Sequence, residues 1–170
     1  MDVVIHELVT RLGKALTHRE LLLTTAESCT GGWIAEVITS VAGSSTWFDR
    51  GFVTYSNLSK QEMLGVSATT LEAHGAVSEE VAREMATGTL IHSIAHTSLA
   101  VSGIAGPSGG TLEKPVGMVC FAWAMKRPGN KAITRLESTT RYFSGDRKIV
   151  RQQAVVDGLR GMVEMIGEER

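Results

Sequence analysis

Cysteine, proline and aromatic side chains are all scarce in this chain. Two cysteines, Cys29 and Cys120, allow at most one disulfide, so no disulfide framework can stand in for a hydrophobic core. With three prolines and no low-complexity tract, the chain offers no candidate linker. Charge of one sign is missing as well: the formal net charge is -1 and no run of Lys or Arg forms a basic stripe, which removes the electrostatic source of nucleic-acid binding. No apolar run approaches the ~20 residues that span a bilayer, and the opening Met-Asp-Val-Val-Ile-His lacks the basic n-region of a secretion signal. These absences predict a reduced, cytoplasmic protein with neither a membrane nor a nucleic-acid partner.

What is present is globular. A hydrophobic content of 43% over 170 residues suffices for a real core, and one domain over 1–170 is expected. Ile5, Leu8, Val9, Leu12 and Leu16 form a helical stripe. Leu21 to Ala26 is a short, mostly uncharged run suited to a strand buried on both faces. Residues 30–41 read as helix, Trp47 to Tyr55 as an extended stretch, and Leu58 to Leu64 as a short helix. Ser78 is a plausible N-cap for a helix running to Ala95, with Glu79 and Glu80 at its positive end. Thr97 to Val101 resumes as strand. Val116 to Met125 and Ile133 to Phe143 form a hairpin about Arg127-Pro128-Gly129-Asn130, and Val155, Leu159, Met162 and Ile166 mark a closing amphipathic helix. Alternating helices and strands that end in a local hairpin predict a three-layer α/β/α sandwich on a mixed, mostly parallel sheet.

Chemistry concentrates at Thr25-Ala26-Glu27-Ser28-Cys29-Thr30-Gly31-Gly32, where a strand turns into a helix. Such a turn presents unpaired N–H groups, able to hold an anion or to stabilise the oxyanion formed when a hydroxyl attacks a carbonyl. Ser28 is therefore either the nucleophile or a helix cap. It does not sit in the G-x-S-x-G elbow, since Ala26 and Thr30 occupy the glycine positions. Tyr55 and Lys60 follow the second extended stretch; Lys60 is either a solvated helix residue or a general base, the latter requiring burial or a nearby cation to lower its pKa. A glycine-rich loop, Ser102 to Gly110, matches no nucleotide-binding fingerprint, but lets a ligand approach the backbone. Arg147 offers a planar fork for phosphate or carboxylate. His92 and His96 stand four apart without a third ligand, so no metal is expected. Cys29 with His74 as its base is set aside, since adjacent residues point in different directions and a small buried thiol is the commoner case.

Taken together, the blocks at 25–32, 51–57 (Gly-Phe-Val-Thr-Tyr-Ser-Asn), 75–78 (Gly-Ala-Val-Ser), 102–107 (Ser-Gly-Ile-Ala-Gly-Pro), 114–117 (Lys-Pro-Val-Gly) and 143–147 (Phe-Ser-Gly-Asp-Arg) resemble the CinA C-terminal family in order and spacing. The likeness covers nearly the whole chain and leans towards stand-alone members that deamidate nicotinamide mononucleotide to nicotinate mononucleotide and ammonia. It implies Ser28 as nucleophile, Lys60 as its base and Tyr55 beside them. Cys29, Thr30, Gly31, Gly32, Ser102, Gly103, Gly106 and Arg147 are then candidates for holding the small-molecule nucleotide substrate. No metal or organic cofactor is implied, and homo-oligomers, commonly dimers, are. A second implied reading is a nucleotide-binding or competence-linked interaction protein of the same fold that does not turn over. Activities of the pterin-binding-like domain found in full-length members are not expected here.

Overall fold

The computed structural model describes residues 2–167; the expected domain, 1–170, extends at both ends by residues outside that range. Helix α1, Val3–His18, starts where the Asp2 carboxylate accepts the Val4 N–H at 2.9 Å, and it buries Ile5, Val9, Leu12 and Leu16. Burial of side chains of this size is worth ~1.5–3 kcal/mol each, which is what holds the helix on the sheet.

Strand β1, Leu23–Glu27, is buried at every position. It is central, pairing in parallel with β2, Phe48–Val53, on one side and with β3, Thr97–Gly103, on the other. Strands β4, Met118–Lys126, and β5, Ile133–Tyr142, continue from β3 as an antiparallel hairpin, so the order is β2-β1-β3-β4-β5. Two pairings are parallel and two antiparallel, while four strands point one way and only β4 runs against them.

Side-chain size alternates across this sheet and assigns its two faces. Leu99, Val101, Phe121 and Trp123 pack beneath α1, α2 (Trp33–Thr39) and α6 (Arg147–Gly167). Ala100, Cys120, Ala122 and Ala124 face α5, Glu79–Ile91, and their small side chains let that helix sit close. Helices α3, Asn57–Leu64, and α4, Ala68–His74, share this second face. A Cβ on Gly88 of α5 would overlap the Leu64 carbonyl, so glycine there lets the end of α3 dock. The three-layer arrangement expected from the sequence is the one observed.

Several boundaries differ from the sequence pattern. The helix expected from residue 30 starts at Trp33, because Gly31 and Gly32 adopt φ values of 60° and 97°. The helix expected to reach Ala95 ends at Ile91, and β1 begins at Leu23 rather than Leu21. Helix α4 has no counterpart in the pattern, since Leu71 is its one buried residue. The last helix starts eight residues before its apolar stripe, with Asp146 Oδ1 accepting the Ile149 N–H at 2.9 Å.

The order places a switch point at β1. The chain leaves β1 through α2 to reach β2 on one side, then crosses through α3, α4 and α5 to reach β3 on the other. At such points the loops diverge and leave a crevice beyond the carboxyl ends of the strands. Ser28 and Ser102 both stand at this edge, linked by the Ser28 N–H donating to Val101 O at 3.0 Å.

Candidate active site

The turn after β1 owes its shape to Glu27. Its buried carboxylate accepts the Thr30 hydroxyl at 2.7 Å, the Ile34 N–H at 2.8 Å and the Ala35 N–H at 3.0 Å, so it caps α2 from the end of the strand. Gly32, not Ser28, occupies the N-cap position, and the capping reading of Ser28 is therefore overturned. The same geometry corrects the idea that the start of α2 is an open anion site, since Glu27 already takes the Ile34 and Ala35 N–H groups and the Gly31 N–H donates to Ser28 O. The N–H groups of Cys29 and Thr30 find no acceptor among the described residues. Arg151 holds the other side of the turn: its Nε donates to Cys29 O at 3.0 Å and its Nη2 to Thr30 O at 2.9 Å, while its guanidinium lies 5.3 Å from the Trp33 ring.

Lys60 reaches Ser28 from a short helix. A reciprocal capping box between Ser56 and Ser59 starts α3, and Gly65 ends it. Side chains on a helix lean towards its N-terminus, which sends Lys60 back to the carboxyl end of β2. Its Nζ lies 3.0 Å from Ser28 Oγ and donates to Thr54 O at 2.8 Å. Lys60 is 1% exposed and Ser28 8%. No carboxylate pairs with Lys60 among the described residues, and burial lowers its pKa from the ordinary value of 10.5, against a smaller opposing effect of Cys29. Of the two ways to lower a lysine pKa, desolvation is the one at work here.

Ser28, Cys29, Tyr55, Lys60, Ser102, Gly103 and Arg147 line one cleft of about 180 Å³, together with Asn57, Ala76, Val77 and Ala105. Tyr55 is 64% exposed and its hydroxyl accepts from Arg147 Nη2 at 3.1 Å, so it stands at the mouth, bonded to Arg147 and not to Ser28 or Lys60. Arg147 Nη1 donates to Gly106 O at 2.8 Å. Thr30, Gly31, Gly32 and Gly106 do not line the cleft. Ser102 does, but its hydroxyl is spent on Ala76 O at 2.7 Å. At Gly103 any Cβ would press on Val119 and on Cys29 Sγ. Burial pushes the Cys29 thiol up to about 12, and no histidine lines the cleft, which leaves the Cys29–His74 arrangement without a base. His96 Nδ1 accepts the Leu22 N–H at 2.9 Å, and no group of three metal-ligating side chains occurs among the described residues.

Larger hollows lie elsewhere, one of about 550 Å³ between α1 and Trp47 and one of about 270 Å³ between β5 and α6, but neither brings a nucleophile to a base. Sequence reasoning missed Glu27, Arg151, Asn57, Ala76 and Val77. Arg151 had a usable signal, since it sits one helical turn beyond Arg147 on the same face. Glu27 carried no such signal, because only the fold shows that its carboxylate is buried.

Comparison with known proteins agrees over nearly the whole chain. Residues 5–166 match the family described as the CinA C-terminal domain. The chain is 54% identical over 159 residues to the nicotinamide-nucleotide amidohydrolase PncC of Escherichia coli K12, covering 94% of this chain and 93% of that protein. It is 54% identical over 156 residues to the PncC of Enterobacter agglomerans, covering 92% of each. Among solved structures, it superimposes on the competence/damage inducible protein CihA from Agrobacterium tumefaciens with a TM-score of 0.90 and 43% identity, covering 99% of this chain and 98% of that one.

Proposed function

The chain belongs to the CinA C-terminal domain family, and from that premise we propose that it is an amidohydrolase that converts nicotinamide mononucleotide to nicotinate mononucleotide and ammonia, with Ser28 as nucleophile and Lys60 as base. The observation that carries the mechanism is the buried 3.0 Å contact between Lys60 Nζ and Ser28 Oγ.

Neutral Lys60 takes the Ser28 proton as Oγ attacks the carboxamide carbon. The oxygen of the tetrahedral intermediate accepts the N–H of Cys29, which lines the cleft and has no other acceptor. Protonated Lys60 then gives its proton to the departing nitrogen, ammonia leaves, and Ser28 is left esterified by the nicotinoyl group. Water, deprotonated by Lys60, attacks the ester and releases the nicotinate nucleotide with Ser28 restored. Tyr55 stands at the mouth, where its hydroxyl accepts from the Arg147 guanidinium, and the proton passes directly between Ser28 and Lys60, which are already in contact.

The cleft, at about 180 Å³, is below the ~300 Å³ of sites that engulf a drug-sized ligand. Only the reacting end of the nucleotide is enclosed, and its phosphate meets Arg147 at the rim. Ser102 and Gly103 form the floor. The unbridged thiols Cys29 and Cys120 suit a reducing compartment and support a cytoplasmic location; the homodimer and the part in pyridine nucleotide recycling are carried over from the family resemblance.

The test is to incubate the purified protein with nicotinamide mononucleotide and follow ammonia and nicotinate mononucleotide together. Equal release of both is expected. Saturable binding of the nucleotide without ammonia would overturn the hydrolase and favour a binding protein of the same fold.

A further inference from the structure

The wall of the cleft opposite α2 is a strap between α4 and α5, and its backbone is held in an unusual way. The carbonyls from His74 to Val77 are each taken by a side chain. Lys114 Nζ donates to His74 O and to Val77 O, Ser78 Oγ to Gly75 O at 2.8 Å, and Ser102 Oγ to Ala76 O at 2.7 Å. The amide N–H groups of Ala76 and Val77, in contrast, donate to no acceptor among the described residues. Both residues line the cleft, and Ser102 ties the strap to the strand that flanks Ser28.

Half-buried backbone N–H groups left unpaired are costly unless water or a ligand satisfies them. Here the cost falls on the amides of the two strap residues that line the cleft, and two side chains from separate elements hold the strap in that state. Lys114 comes from the loop before β4 and Ser102 from β3; neither touches Lys60 or Ser28 through any recorded hydrogen bond. A lysine shared between two carbonyls of one strap fixes their spacing, and with it the direction of the peptide units between them.

We propose that the amides of Ala76 and Val77 form an oxygen-binding subsite for the nucleotide, and that Lys114 and Ser102 are its positioning residues. The donor pair takes an anionic or carbonyl oxygen of the ligand, as backbone N–H groups do in other anion-binding concavities. The subsite rests on the nucleotide being the ligand of this cleft. It adds a second set of donors, on the face across from Cys29.

Amide proton resonances of the wild-type protein test this directly. Saturation with nicotinate mononucleotide is expected to move the Ala76 and Val77 amide protons downfield. Inorganic phosphate producing the same shift identifies the bound oxygen as the phosphate's; a shift with the nucleotide alone identifies it as one on the ring carboxylate. Lys114→Met is expected to abolish the shift and to raise KM for nicotinamide mononucleotide by about tenfold with a smaller change in kcat. Silent Ala76 and Val77 amides, with Cys29 responding, would overturn the subsite and leave the proposed function standing. If no amide of the cleft responds, the nucleotide reading itself fails and the subsite with it.

Discussion

Lys60 Nζ stands 3.0 Å from Ser28 Oγ at the edge of the sheet, with the lysine almost wholly removed from solvent. The two residues are 32 positions apart and reach one another because β1 and β2 are parallel neighbours and α3 turns back over their ends. An ammonium held there without a carboxylate partner is destabilised relative to the free amine, and that difference is what equips Lys60 to accept a proton.

The pH dependence follows from that lowered pKa. Below it Lys60 is protonated and cannot take the Ser28 proton, so kcat/KM should climb with pH through a midpoint below 10.5 and then level off. Lys60→Arg, which cannot deprotonate, should cost on the order of 10²–10⁴-fold in kcat. A pH-independent rate, or an active Lys60→Arg protein, would mean another base.

Stability should carry the same signature. Between the lowered pKa and 10.5 the unfolded chain binds a proton on Lys60 that the folded chain does not, so wild-type stability gains with rising pH across that window. Lys60→Met lacks this contribution. Urea midpoints of the two proteins from neutral pH upward should therefore shift in favour of wild type; parallel curves would show that the lysine titrates normally.

Cys29 should be dispensable as a nucleophile. Its thiol is buried and pushed up to about 12, which leaves no useful thiolate near neutrality. Cys29→Ala should keep turnover within about tenfold of wild type, since the backbone N–H that serves the oxyanion is retained. Complete loss of ammonia release in a folded Cys29→Ala protein would reopen a thiol mechanism.

Glu27→Gln tests the turn. The amide replaces one acceptor oxygen with an NH2 group that faces either the Ala35 N–H or, flipped, the Thr30 hydroxyl and the Ile34 N–H, and should cost ~1–3 kcal/mol in urea unfolding, with a fall in kcat as Ser28 shifts. An unchanged midpoint would mean that the cap is not needed.

Arg147→Ala should raise KM for nicotinamide mononucleotide by about tenfold or more, and leave the kinetics of the phosphate-free nucleoside unchanged. Arg147→Lys should recover only part of the loss, because an ammonium lacks the planar fork that lets the guanidinium hold Gly106 O and Tyr55 Oη and still present donors to a phosphate. Equal losses on both substrates would detach Arg147 from the phosphate.

The layers of the fold were legible because they are written in periodicity: the stripe Ile5-Val9-Leu12-Leu16 and the doubly buried β1 need only local patterns. Ser28 and Lys60 were legible through the resemblance, but their contact was not, since pairing across 32 positions depends on sheet order and helix direction. Glu27 illustrates why the rest was hidden. Serine is a common cap, and nothing local reveals that the acid before it turns its carboxylate inward to do that task. Tyr55 was placed beside the nucleophile by analogy, and the structure turns its hydroxyl to Arg147 instead. The strap escaped notice because its donors are backbone groups, and side-chain type says nothing about which peptide N–H is left unpaired.

Ammonia release from nicotinamide mononucleotide by wild type and Ser28→Ala, measured side by side on folded protein, tests the central claim most directly. Wild type should release ammonia and nicotinate mononucleotide together, while Ser28→Ala still binds the nucleotide and turns it over at less than about one-thousandth of that rate. Equal rates from the two proteins would contradict the assignment of Ser28 as the nucleophile and, with it, the role given to Lys60.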